Sequence, residues 1–168
     1  MMYSEDDIYR ILEEEGVWRH IDRHEAVFDM AALETISLTY PDAEAKNLFL
    51  RDDRKNYYLF VVKGDKRVDL KAERKSLSLR PLSFASEEEL EAVLGLEKGA
   101  VTPFGLLNDS QHRTKCFLDE EFLAGDGLIG VHPLTNRATV VLKALDFLGI
   151  LNNRGADVRA AAFVFDEE

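Results

Sequence analysis

The stretch AKNLFLRDDRKNYYLFVV, residues 45–62, decides the fold of this chain. Two largely apolar runs, residues 46–50 and 57–62, flank the polar segment 51–56. Apolar runs separated by a polar turn predict a β-hairpin. Lys46 opens the first strand, and burying an unpaired ammonium group is costly, so we expect Lys46 at an edge or mouth of the sheet. A solvated surface lysine is the simpler alternative.

Length and composition favour one compact domain over residues 1–168, because 46% of the residues are hydrophobic. No run approaches the roughly 20 apolar residues that a membrane span needs. The first seven residues include three acids and no basic residue, whereas a signal peptide begins with positive charge. We therefore expect a cytoplasmic protein. The single cysteine, Cys116, excludes an internal disulfide and is expected to be a buried structural thiol, not a nucleophile.

Periodicity and capping patterns predict helices over residues 4–15, 86–95 and 144–151. Beyond the hairpin, further strands are expected at residues 18–21, 26–28, 114–118, 128–132, 138–142 and 158–165. The elements lack a regular alternation of strand and helix. We therefore predict an α+β (mixed α/β) fold, built on a largely antiparallel mixed sheet flanked by helices.

Standard motifs for cofactors and nucleophiles give little support to those classes. The sequence contains no phosphate-binding Gly-x-x-x-x-Gly-Lys run and no Gly-x-Ser-x-Gly elbow. Residues 125–130, GDGLIG, match the Gly-x-Gly-x-x-Gly pattern, but we interpret Gly125-Asp126-Gly127 as a turn. The four histidines, at positions 20, 24, 112 and 132, do not have the spacing of a helical metal site. We expect neither cofactor nor metal, so any hydrolysis would activate water directly.

Charge is distributed unevenly along the chain. The net charge is -11, but residues 63–80 hold seven basic and three acidic residues, so this segment is +4 and the remainder is -15. Lys71, Arg74 and Lys75 lie in it and form the candidate phosphate-binding surface, while the acidic remainder argues against DNA as a partner. The alternative is a solvated helix face with internal charge pairs. No heptad pattern is present, so we expect a monomer.

Four ordered motifs carry a family resemblance: KNLFLRD at 46–52, NYYL at 56–59, GAVTPFGLLND at 99–109 and GVHPLTN at 130–136. The chain resembles the YbaK/ProX editing-domain family over about residues 5–165, and most closely its free-standing alanyl-tRNA(Pro) deacylase branch. The resemblance implies a trans-editing hydrolase that deacylates mischarged tRNA(Pro), most of all Ala-tRNA(Pro). It also implies tRNA(Pro) as substrate and a transient complex with prolyl-tRNA synthetase.

The resemblance also implies site residues. Lys46, Gly99 and Pro103 are expected to be catalytic, with backbone amides of residues 99–102 stabilising negative charge on the ester oxygen. The expected substrate-binding residues are Asn47, Ala100, Val101, Thr102, His132, Met30, Ile36 and Leu38. For residues 99–103 the alternative is a plain surface turn, and for the apolar residues it is ordinary core. His24 resembles an early family histidine, but Glu25 stands where the family commonly has proline.

Two other functions stay open at this point. A non-catalytic module that binds tRNA or a synthetase would suit the acidic surface. A deacylase for cysteine, serine or threonine esters would keep the chemistry and change only the pocket, because a single methylene changes selectivity by about 1–3 kcal/mol.

Overall fold

The computed structural model describes residues 2–26 and 37–166. Within them the chain forms four α-helices: α1 (Glu5–Glu15), α2 (Leu70–Ser76), α3 (Glu87–Leu94) and α4 (Ala144–Asn153). The strands are β1 (Arg19–Arg23), β2 (Ala45–Arg51), β3 (Tyr57–Lys63), β4 (Ser83–Phe84), β5 (Thr114–Asp119), β6 (Leu128–Val131), β7 (Ala138–Lys143) and β8 (Asp157–Ala161). Within these two ranges, no helix has the length and apolar character needed to cross a membrane.

Helices α1 and α3 begin and end at the residues that the sequence predicted for them, whereas α4 extends two residues past the predicted end and α2 was not predicted as a helix. Ser4 and Ser86 both form capping boxes, in which the serine hydroxyl accepts from the third helical amide and the acidic side chain there accepts from the serine amide. Gly16 and Gly95 end α1 and α3 in the left-handed region, each with φ of 65°. Glycine adopts this conformation at little cost, so these signals fix the helix ends.

The strands form two sheets, with the orders β1-β7-β6 and β4-β2-β3-β5-β8. The predicted hairpin is β2–β3, with Ala45 opposite Lys63 and Arg51 opposite Tyr57. Four of the six strand pairings are antiparallel, whereas β3–β5 and β5–β8 are parallel. Parallel neighbours require long crossovers, and the segment from β3 to β5 supplies one that carries α2 and α3. The predicted α+β architecture is confirmed.

One apolar core joins both sheets. Its members include Leu59 and Val61 from the five-stranded sheet and Val140 and Leu142 from the three-stranded sheet, and α1, α3 and α4 pack against it. We call this side of the sheets the inner face. A second, smaller cluster on the other side holds Leu50, Phe60 and Val62, against which apolar residues of α2 pack. We call this side the outer face.

Two predictions about the strands were wrong in detail. We expected one sheet, and the structure has two. We also expected a strand to residue 165, but β8 ends at Ala161, opposite Asp119, because its partner β5 ends there and turns into a 3₁₀ helix. Phe163 then packs on Phe60, with ring centroids 5.2 Å apart. Most of the predicted strand at 26–28 lies outside the described residues.

Phe104 ties the loop after α3 to the core. Its side chain is fully buried and lies edge-on to Phe147 of α4, with ring centroids 4.9 Å apart. We predict that Phe104→Ala lowers the free energy of unfolding by about 3–5 kcal/mol, because the change leaves a cavity in a packed core. Urea denaturation measures this loss.

Leu145→Ala is the control, since Leu145 lies on α4, the helix that Phe104 contacts, and is 71% exposed. It should change stability by less than about 0.5 kcal/mol. Equal effects of the two substitutions would contradict this view of the core.

Candidate functional site

The two sheets meet where β2 begins. Glu44 and Gly130 form a parallel bridge there, so the chain entering β2 lies alongside β6. Ala45 packs against the inner core and Leu48 against the outer cluster. Because side chains alternate along a strand, Glu44 and Lys46 lie on the outer face. The bridge therefore makes the outer faces of the two sheets continuous at Glu44 and Lys46.

Polar side chains occupy this part of the outer face. Asp22 of β1 lies opposite Thr139 of β7, and residues directly opposite each other point to the same side of a sheet. Gly130 lies two residues before His132 on the neighbouring chain segment. A side chain at Gly130 would come within 3.3 Å of the Thr139 methyl group, so glycine keeps this surface open.

Lys46 lies at the border of this surface and is partly accessible. Its side chain is 28% exposed, and its ammonium group lies 3.7 Å from the Asp65 carboxylate, which is itself well exposed. Such a surface ion pair is weak and easily exchanged. Lys46 is therefore a half-buried cation that an incoming anionic or carbonyl group can reach.

The segment 99–103 is fixed by two long-range hydrogen bonds and is not a free surface turn. The Asn47 amide donates to the Val101 carbonyl at 3.2 Å, and the Thr102 hydroxyl donates to the His132 carbonyl at 2.6 Å. Gly99 has φ of 84°, which favours glycine because a Cβ is strained there. Residues from three separate motifs are thus held together.

The amides of this segment differ in availability. The Ala100 amide donates to the Glu97 carbonyl at 3.1 Å, so it is used within the turn. Thr102 and Pro103 are buried, and Pro103 opens the 3₁₀ helix Pro103–Asn108. Their positions suit them to shape the loop. Gly99 and Val101 are both partly exposed, so their amides are the candidates for contact with a ligand.

Two histidines lie together beside Ala138, the first residue of β7. Their rings, in His24 and His132, have centroids 6.3 Å apart. His132 Nδ1 lies 3.0 Å from the Ala138 carbonyl, and His24 Nδ1 lies 2.7 Å from the Glu25 carbonyl. A carbonyl only accepts, so both Nδ1 atoms carry the proton and both Nε2 atoms are acceptors in the neutral rings.

The surroundings keep His132 neutral. Burial lowers its pKa, and the neighbouring His24 lowers it further, against the Ala138 carbonyl that favours the charged form. The His24 Nε2 atom is satisfied by the Thr139 hydroxyl at 2.9 Å. His132 Nε2 is thus the ring nitrogen with a lone pair for a ligand.

Sequence reasoning missed Glu44, Asp22 and Thr139. Glu44 carries the signal that could have found it, because it lies two residues before Lys46 on the same strand face. Asp22 accepts from the Thr39 amide and hydroxyl at 3.0 and 2.9 Å, which orders the chain beside the site. Nothing in the sequence around Thr139 distinguishes it from a core strand residue.

The predicted residues fall into separate places. Asn47, Val101, Thr102 and His132 are joined by hydrogen bonds, and Gly99, Ala100 and Pro103 complete the same loop. Leu38 is half-buried, whereas Met30 and Ile36 lie outside the described residues. The predicted tRNA-binding residues lie apart from this loop on α2. Cys116 is buried, which raises its thiol pKa.

A shallow pocket on the outer side accompanies the basic helix. Its volume is about 370 Å³, and it is lined by Leu70, Lys71, Arg74, Pro81 and Leu82. Residues 2–26 and 37–166 contain no cluster of three or more His, Cys, Asp or Glu side chains that could hold a metal ion.

Comparison with known proteins agrees with this geometry. Residues 24–150 match the model of the family described as aminoacyl-tRNA editing domain. Prolyl-tRNA editing protein ProX of Acetoanaerobium sticklandii is 39% identical over 138 residues, covering 82% of this chain and 84% of that protein. Prolyl-tRNA synthetase associated domain-containing protein 1 of Bos taurus is 37% identical over 119 residues, covering 68% and 69%.

A solved structure extends the likeness to the fold. A crystal structure provisionally described as a trans-editing enzyme for prolyl-tRNA synthetase superposes with a TM-score of 0.70 at 20% identity, over 99% of this chain and 100% of that chain. At this identity the match shows a shared fold only. The family match and the 39% identical relative go further: this chain belongs to the aminoacyl-tRNA editing domain family.

Proposed function

We propose that this protein is a trans-editing deacylase that hydrolyses the ester of mischarged tRNA(Pro), with Ala-tRNA(Pro) as its principal substrate. One observation carries the proposal. Motifs from residues 46–47, 99–103 and 130–136, distant in sequence, converge through the bonds of Asn47 to Val101 and of Thr102 to His132. They do so at the bridge that joins the two sheets, in a chain that belongs to an aminoacyl-tRNA editing family.

Water attacks the ester carbonyl, and the carbonyl oxygen gains negative charge in the transition state. The Lys46 ammonium and the amides of Gly99 and Val101 supply positive charge and hydrogen-bond donors for that oxygen. Lys46 lies on the outer face and the loop on the inner side, so the oxygen lies at the edge of β2 between them. In the described chain, β4 pairs with this edge at Leu50 and Arg51, past the start of the strand. Each well-placed donor of this kind contributes about 2.7–4 kcal/mol to transition-state stabilisation. The bond to the 3′ oxygen of the tRNA then breaks, and the proton of the water goes to this leaving oxygen.

Two acceptors position the substrate and the water. His132 Nε2 has no hydrogen-bond partner among the residues that the structure describes, and the neutral ring makes it an acceptor for the attacking water or a ribose hydroxyl. The Asn47 side-chain oxygen is buried and has no hydrogen-bond partner among the described residues. A ribose hydroxyl of the substrate donates to that oxygen, which favours binding because an unpaired buried polar atom costs about 1–3 kcal/mol.

The preference for alanine requires a pocket too small for proline. A synthetase pocket cannot strongly reject a smaller amino acid, because a missing methylene costs only about 1–3 kcal/mol, and a second hydrolytic site restores the selection. Leu38 is partly buried, and the next residue, Thr39, donates to Asp22 of β1. We assign Met30, Ile36 and Leu38 to the walls of this pocket.

The tRNA body binds along the outer face. α2 covers the same side of the five-stranded sheet on which Lys46 lies, so a tRNA contacting Lys71, Arg74 and Lys75 can extend its acceptor end toward Lys46. In this proposal residues 1–168 act as one monomeric domain in the cytoplasm. A transient complex with prolyl-tRNA synthetase delivers the mischarged tRNA.

Deacylation assays with alanyl-, cysteinyl- and prolyl-tRNA(Pro) test the function. The proposal predicts rapid loss of alanine and intact prolyl-tRNA(Pro). Loss of cysteine instead of alanine would retain the enzyme class and change its specificity. Folded protein that hydrolyses none of the three at enzyme excess would overturn the proposal in favour of a binding module.

Lys46→Ala should lower kcat for alanyl-tRNA(Pro) by about 10²–10³, because one electrostatic donor to the ester oxygen is removed. Single-turnover deacylation gives this number directly. Lys115→Ala is the matched control, since Lys115 is an exposed lysine on β5. A comparable loss in both variants, or none in either, would show that Lys46 has no special role.

Thr102→Val should reduce deacylation at least about tenfold, because the partly buried His132 carbonyl loses its donor and His132 shifts. Leaving such a group unpaired costs about 1–3 kcal/mol of stability. Thr102→Ser keeps the hydroxyl and should restore most of the rate. Thr114→Val is the control: the Thr114 hydroxyl is buried with no partner among the described residues, so its removal should spare both rate and stability. If Thr102→Val keeps full activity, this loop anchor does not position the site.

Replacing Lys71, Arg74 and Lys75 together by alanine should weaken tRNA binding and flatten its salt dependence. Each lost phosphate contact lowers the slope of log K against log salt by about 0.7–0.9. Fluorescence anisotropy with labelled tRNA(Pro) between low and moderate salt measures the slope. The control triple changes Arg54, Lys115 and Lys143, which are exposed and lie outside α2. Equal slopes for the two triples would move the RNA surface elsewhere.

A further inference from the structure

Glu44 lies on the outer face at the junction of the two sheets, and its carboxylate has no hydrogen-bond partner among the described residues. Its Oε1 atom is buried and makes no hydrogen bond to any residue in 2–26 or 37–166. A Cβ at Gly130 would lie 3.6 Å from that oxygen, so the carboxyl group lies against the one position of β6 that has no side chain. An orphaned buried carboxylate is costly, and such a group in a functional site calls for an explanation.

The nearby cation does not satisfy it. Lys46 shares the outer face with Glu44, but its ammonium group lies beside the exposed Asp65 carboxylate at 3.7 Å. Asp22 adds negative charge and is already occupied by Thr39 and His20. Among residues 2–26 and 37–166, no cation pairs with Glu44, so the surface between Glu44 and Asp22 has an excess of negative charge.

The protonation of Glu44 reflects this environment. Burial, with a smaller contribution from the charge of Asp22, raises the pKa of Glu44 to about 7. A cation placed beside Glu44 would stabilise the charged carboxylate and supply the missing partner. The site thus has a place for a positive group that the protein itself leaves open.

The substrate carries one such group at the right distance. In an aminoacyl ester the α-ammonium is attached to the carbon next to the ester carbonyl. Glu44 and Lys46 are two residues apart on extended backbone, or about 6.6 Å along the strand. A carbonyl oxygen near Lys46 therefore leaves the ammonium of the same ester within reach of Glu44.

We propose that the Glu44 carboxylate binds the α-ammonium group of the aminoacyl ester and so makes the enzyme select esters that carry a free amine. This inference rests on the proposed deacylase function. It deepens that function by naming the group that recognises the amino end of the substrate, whereas the pocket walls recognise the side chain.

The experiment compares alanyl-tRNA(Pro) with lactyl-tRNA(Pro), in which a hydroxyl replaces the amine at nearly constant size. Wild type should hydrolyse the alanyl ester with kcat/KM at least tenfold higher. Glu44→Gln keeps the shape and removes the charge. It should lower kcat/KM for alanyl-tRNA(Pro) about tenfold, mainly by raising KM, and leave the lactyl ester unchanged.

Asp42→Asn is the control, because Asp42 is an exposed carboxylate two residues away, and it should change neither ester. Thermal melting confirms that the Glu44→Gln protein is folded. If wild type is active and Glu44→Gln slows both esters equally, or neither, the ammonium site is overturned while the deacylase function stands. If wild type hydrolyses neither ester, the proposed function fails and this inference fails with it.

Discussion

The bridge between Glu44 and Gly130 is the contact on which the site depends. Without it the molecule has two sheets that share only a core; with it, the start of β2 continues the surface of β6. Lys46, Glu44 and the segment around His132 then lie on one surface, although the sequence separates them by more than 80 residues. Backbone pairing therefore determines the chemistry of this region before any side-chain contact does.

The loop at 99–103 depends on the same junction. Asn47 lies on the inner side of β2 and binds the Val101 carbonyl, while Thr102 reaches the His132 carbonyl beyond the end of β6. One strand thus presents a charged residue outward and an anchoring amide inward from adjacent positions. Under the proposed function, Lys46 faces the ligand and Asn47 fixes the loop that the ligand contacts.

Much of the fold was predictable because its signals are local. Ser4 and Ser86 with their acidic partners, the closing glycines, and the apolar runs of the hairpin each specify structure within a few residues. The division into two sheets and the parallel pairing of β3 with β5 were not predictable in this way, since they depend on long-range packing. In the site, the family motifs pointed to Lys46 and the loop, but the use of the Ala100 amide within its turn and the burial of Thr102 required coordinates.

Glu44 shows what the motifs leave out. It lies just outside the KNLFLRD run. We infer its role from its position against Gly130 and from the absence of a hydrogen-bond partner for its Oε1 atom among the described residues, and a pattern of residue types records neither. Met30 and Ile36 were assigned from the sequence alone, and their place in the pocket is still a prediction.

The most direct test of the central claim is a crystal structure of the protein with a non-hydrolysable analogue, 3′-alanylamino-adenosine, whose amide replaces the ester. We predict that the alanyl carbonyl lies against Lys46 and the amides of Gly99 and Val101. The alanine itself should lie beside His132 and Glu44. An analogue bound in the pocket at α2, or anywhere away from the junction of β2 and β6, would contradict it.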